Sequence, residues 1–193
     1  MAGLLASIIG LFGCGKDAPK ADTTADIYRN LRQQVLTLDP AKIGLRPTAA
    51  NQVWGLLLET GYPKAVVSLV TIADGTVSLY FSNGGGIIGV GQHDEPRKAC
   101  EAFLAFAPKF IPYADRTEVF PLPSEGHTRF YFFTFNGILT VDANEDELGN
   151  NRSPLSPLFH KGHEVITAAL RIDEKLKGGQ NAVTGDGRVA TTE

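Results

Sequence analysis

A chain of 193 residues, 43% of them hydrophobic and 20% charged with a net charge of -3, fits one domain with tails. That balance excludes broad disorder, which needs low hydrophobicity and high net charge. The absence of a basic run argues against nucleic-acid binding, where phosphate contacts supply most of the affinity.

The chain opens with an apolar segment and a polar linker, residues 1–22. Leu4, Leu5, Ile8, Ile9, Leu11 and Phe12 fall on one side at 3.6 residues per turn. No apolar run approaches the ~20 residues that span a bilayer. The leading reading is a short interfacial helix that lays its apolar side on a membrane or in a partner's groove. A second is a bacterial envelope lipoprotein: Leu11-Phe12-Gly13-Cys14 resembles the lipobox, which would make Cys14 the lipidated residue. The run is short, however, and no Lys or Arg precedes it. A third reading has the segment cover an apolar patch of its own domain.

Residues 23–177 read as a single α+β domain. Thr23 or Thr24 caps a helix whose apolar face is Ile27, Tyr28, Leu31, Val35 and Leu38, with Arg29 and Arg32 on the solvated side. Asp39-Pro40 ends it, because the residue before proline is pushed out of the α region. A second helix is expected after Pro47, capped by Thr48, with Val53, Trp54, Leu56, Leu57 and Leu58 as its apolar surface and Gly61 and Pro63 as its stop.

Two hairpins follow. Val66–Ile72 is almost continuously apolar, as in a strand covered on both faces, and Asp74-Gly75, expected as a type I′ turn, leads it into an alternating strand, Val77–Phe81. The glycine-rich run Gly86-Ile87-Ile88-Gly89-Val90-Gly91 lacks both the Lys-Ser/Thr of a P-loop and the G-x-G-x-x-G spacing. It reads as a bend before an acid-capped helix that starts at Asp94-Glu95-Pro96. Cys100 shares the apolar stripe of that helix with Phe103 and Leu104, the setting of a buried thiol rather than a nucleophile. Thr117–Phe120 is an expected strand. Phe130–Phe135 turns at Asn136-Gly137 into Ile138–Val141, the second hairpin.

Asp142–Glu147 lacks the turn glycine and the closing glutamate of a calcium loop and reads as an acidic surface loop. The last helix carries His160 and His163 one turn apart, with Glu164 beside them; a zinc ion needs a third protein ligand. Gly178-Gly179 is expected to end that helix, with residues 178–193 as a disordered tail.

The expected order is α-α-β-β-α-β-β-β-α, an antiparallel sheet built from two hairpins with helices packed on it. From Thr48 to about Lys177 this order is similar to that of roadblock/LC7 domains, relatives of the longin and profilin-like folds. The resemblance implies a non-enzymatic scaffold that homodimerises through a helix and a sheet edge. Read with the N-terminal segment, it gives a protein-interaction module at a membrane surface or partner, cytoplasmic and membrane-associated, with no cofactor, no small-molecule ligand and no assigned catalytic residue. The competing enzyme reading uses His93, His127, His160 and His163 with Asp142 or Asp146, which requires those side chains to converge.

Overall fold

The computed structural model describes residues 23–49 and 52–184, with the side chains of the last helix described as far as residue 178. Among the described residues there are seven strands: β1 (Val53–Tyr62), β2 (Ala65–Ile72), β3 (Val77–Phe81), β4 (Gly86–Ile87), β5 (Asp115–Arg116), β6 (His127–Thr134) and β7 (Gly137–Asn144). They form one sheet in the order β4-β3-β2-β1-β6-β7-β5, every neighbouring pair antiparallel. The α-helices among the described residues are α1 (Thr24–Leu36), α2 (Asp94–Phe106), α3 (Glu145–Gly149) and α4 (Ser156–Thr184). The α+β class and the antiparallel sheet stand as expected.

The expected second helix is instead the central strand β1, which pairs with β2 on one side and β6 on the other. Its residues are buried from Val53 to Gly61 because both faces are covered. Leu56 and Leu58 join the cluster formed with α2 and α4, while Trp54 and Leu57 join the cluster formed with α1. A strand filled on both faces loses its period of two, and 53, 54, 57 and 58 then imitate a helical stripe. Thr48 caps no helix; its N–H and hydroxyl both donate to the Gln52 side chain, at 2.7 and 2.9 Å. Gly61 ends no helix either. The Ser124 carbonyl oxygen lies 2.2 Å from where a Cβ on Gly61 would sit, so the loop before β6 crosses β1 at a point only glycine leaves open.

Both hairpins form. In the first, Gly75 N–H donates to Ile72 O and Ile72 N–H to Thr76 O, each at 3.0 Å. Gly75 has φ +94 whereas Asp74 is not left-handed, so the connection is a three-residue turn with a bulge glycine, not the two-residue type I′ turn. In the second, Thr134 pairs with Gly137, which puts Phe135-Asn136 at the tip, one position before Asn136-Gly137. The expected strand Thr117–Phe120 is irregular chain; the edge strand is Asp115–Arg116, extended only by the Thr117 N–H to Ile138 O bond. A 13-residue helix and a 29-residue helix, α2 and α4, pack side by side on one face through Cys100, Phe103, Leu158, Val165 and Ala169. The α4 helix runs through Gly178-Gly179 to Thr184: a glycine weakens a helix by about 1 kcal/mol without being obliged to stop it.

Candidate functional site

The opposite face of the sheet is covered by α1 and by the chain around Phe120, over Trp54, Leu57, Val70, Ile72, Tyr80, Tyr131 and Phe133. Thr23 fixes the start of α1 by a capping box, accepting from the Asp26 N–H while the Asp26 carboxylate accepts from Thr23. That helix buries Tyr28, Val35 and Leu36 against the sheet, whereas Ile27 stays 50% exposed.

Across this apolar face runs a polar row set by strand register: Tyr80 on β3, Ser68 on β2, Glu59 on β1, Arg129 on β6 and Asp142 on β7 are successive neighbours. Glu59 is completely buried. A carboxylate taken out of water needs a matching charge and hydrogen bonds on its remaining lone pairs, and α1 delivers both. Arg32 Nε donates to the two Glu59 oxygens at 2.9 and 3.1 Å, and its Nη2 donates to Oε2 at 2.7 Å. Ser68 donates to Glu59 Oε1 at 2.8 Å, and the Tyr28 hydroxyl sits 2.9 Å from the Ser68 oxygen. Burial, then the charge of Glu59, push the Tyr28 phenol up to about 12. With the phenol protonated at neutral pH, the network is a fixed set of donors around a carboxylate: it positions a helix rather than relaying protons. The guanidinium of Arg32 also lies 5.8 Å from the centre of the Tyr131 ring, and the Tyr131 hydroxyl donates to Pro121 O at 2.6 Å, which ties down the loop on the far side of α1.

At the other end of the row, Asp142 forms an ion pair with Arg129 at 3.0 Å and lies 2.6 Å from His127 Nδ1, while the buried Arg129 Nε has no partner among the described residues. Among the described residues, concavities lie on two flanks of α1. One, of about 180 Å³, lies between Thr24, Ile27, Tyr28 and Leu31 on the helix and Tyr80, Phe81 and the Gly84-Gly85 turn. The other, of about 480 Å³, is lined by Asp26, Arg29, Arg32, Gln33 and the exposed Leu122.

Leu4, Leu5, Ile8, Ile9, Leu11, Phe12 and Cys14 lie outside the described residues. Of the two arginines assigned to the solvated side of the first helix, Arg29 is there, its side chain 69% exposed and paired with Asp26 at 3.2 Å. Arg32 is the buried clamp, its side chain only 11% exposed. The overlooked signal is Glu59 itself, a lone carboxylate closing the run Val53–Leu58.

The four histidines are dispersed over different elements. His127 belongs to the β6–β7 pair, His93 precedes α2, and only His160 and His163 share a groove, between α2 and α4. There His160 Nε2 contacts Asn151 at 3.0 Å, and the His163 ring lies 4.3 Å from that of Phe159. Burial, then the neighbouring His160, hold the His163 imidazole below its ordinary 6.5. Among the described residues no three His, Cys, Asp or Glu side chains come together as a metal site. The acidic stretch forms β7's end and the short α3, capped by the Asn144 side chain, with Asp146 paired to Arg152. Burial pushes the Cys100 thiol up to about 12, and the thiol faces the Ile72 carbonyl at 3.7 Å. The glycine run before α2 is a packing device: the Gly75 carbonyl oxygen lies 1.7 Å from where a Cβ on Gly91 would sit.

The chain matches no family model, no curated protein and no solved structure.

Proposed function

We propose that the protein is a non-catalytic interaction module tethered to a membrane surface or a partner's groove through the apolar side of its N-terminal segment. The observation that supports this reading best is the attachment of α1. Residues 1–22 join the domain at Thr23, and the helix that begins there is clamped to the central strand by the buried Arg32–Glu59 pair. A load applied through the N-terminal segment is therefore carried into the middle of the sheet. Exposed apolar side chains, Ile27 on one flank of α1 and Leu122 on the other, stand next to that attachment point. The scaffold reading draws on this packing and not on the likeness in element order to roadblock domains.

The test is fractionation of native membranes and cytosol with the full chain and with residues 1–14 deleted, followed by identification of co-purifying proteins. Retention of the full chain on membranes or on a stoichiometric partner, abolished by the deletion, supports the reading. Equal behaviour of the two forms overturns it. The intact mass of the bound fraction separates peptide anchoring from lipid anchoring: a lipid-modified mature chain beginning at Cys14 replaces this reading with the lipoprotein one.

A further inference from the structure

The helix face expected from the spacing Ile27, Tyr28, Leu31, Val35 and Leu38 is buried unevenly. Tyr28 and Val35 reach the sheet, whereas Ile27 is 50% exposed and lines, with Leu31, the small groove against Tyr80 and Phe81. Thr24 lines the same groove, so the chain outside the described residues departs from its end. We infer that this groove is the docking site of the chain's own Leu4–Phe12 segment, which folds back along α1 and places one large apolar side chain between Ile27 and Phe81.

The sizes agree. An apolar cavity on the order of 150 Å³ takes a benzene-sized group, and the groove measures about 180 Å³, room for one side chain such as Phe12 or Leu11 but not for a whole helix. The residues between Phe12 and Thr24 reach roughly 35–40 Å when extended, whereas the groove follows α1 from Thr24 to Leu31, a rise of about 10 Å. The linker is therefore long enough for the reversal. Six of the nine residues from Leu4 to Phe12 are large and apolar, the chemistry the groove wall presents. The consequence for function rests on the tethering proposed above: an apolar side chain held in the groove is withdrawn from any membrane, so docking weakens anchoring.

Hydrogen exchange on the full chain decides the docking. In Leu11→Ser/Phe12→Ser the amides around Ile27–Leu31 and Tyr80–Gly85 exchange about tenfold faster, as loss of a buried apolar contact requires. Ile27→Glu, at a half-exposed position, leaves the thermal unfolding temperature in place and raises exchange within Leu4–Phe12. Unchanged exchange in both variants overturns the inference. Co-sedimentation with phosphatidylcholine vesicles containing phosphatidylglycerol reads the consequence. Ile27→Glu binds more than wild type if docking competes with anchoring, and equal binding removes the competition. If neither protein binds vesicles, membrane anchoring fails while the exchange result still decides the docking.

Discussion

Replacing Arg32 by Met tests the clamp between α1 and the sheet. The substitution keeps an unbranched apolar stem along Tyr131 but leaves Glu59 fully buried, with only Ser68 at 2.8 Å and Tyr28 at 3.4 Å to solvate it. Removing one partner of a buried pair costs about 3–5 kcal/mol, because the remaining charge is uncompensated. For a chain of this size that corresponds to a drop of roughly 6–20 °C in Tm. Glu59→Leu costs less, since Arg32, 11% exposed, can turn outward past Leu122. The double variant Arg32→Met/Glu59→Leu returns to within about 1 kcal/mol of wild type, as well-packed apolar replacements of buried pairs do. Urea unfolding followed by Trp54 measures all four corners of the cycle; this sole tryptophan is 3% exposed and stacks on Phe133 at 5.2 Å under α1. A cost below about 1 kcal/mol for Arg32→Met, the range of exposed pairs, would refute the argument that the clamp is buried and holds the helix.

Three further outcomes are expected. Gly91→Ala destabilises by about 1–3 kcal/mol or more, since its methyl meets the Gly75 carbonyl and the hairpin tip must move; an unchanged urea midpoint would contradict that packing. Cys100 resists thiol reagents at pH 8 in the folded protein, as peptide mapping reads out. The raised thiol pKa contributes stability that is complete below the ordinary thiol value and is lost as the pH rises towards about 12. His163, held below 6.5, contributes stability that is complete above pH 6.5 and lost as the pH falls through its folded value. Wild type therefore loses more stability between pH 7 and pH 5 than His163→Gln, and equal slopes in urea titrations at the two pH values would refute the assignment.

What the sequence displays of this fold follows from where each element sits. Hairpins announce themselves because their turns are local: Asp74-Gly75 and Asn136 lie in the connections, and only the turn types differ from expectation. The helix α2 was legible from Asp94-Glu95-Pro96 and the Cys100–Phe103–Leu104 stripe, all within 13 residues. The central strand was not, because Leu56 and Leu58 face one helical layer and Leu57 the other, and a doubly covered strand carries no alternation. The candidate site was hidden for a related reason. Nothing within a few residues distinguishes Arg32 from Arg29, and its partner lies 27 residues away on a strand whose register is set by β2 and β6. Local pattern identifies elements; it does not identify which charge a distant strand will require.

Glu59 also bears on the order in which the chain is assembled. The second neighbour of β1 is β6, and their paired residues Thr60 and Thr128 are 68 positions apart. During synthesis, β1–β4 and α2 emerge while one edge of a leucine-rich strand still lacks its partner. Such an edge recruits other chains, and an inward-pointing charge is one of the means by which sheets discourage it. Glu59, which the native protein conceals beneath α1, stands where such a charge would discourage pairing at the unfinished edge. The Arg32→Met/Glu59→Leu protein, close to wild type in stability, is accordingly expected to refold in lower yield and aggregate more with rising concentration. Stability and foldability would then part company at a single residue of the central strand.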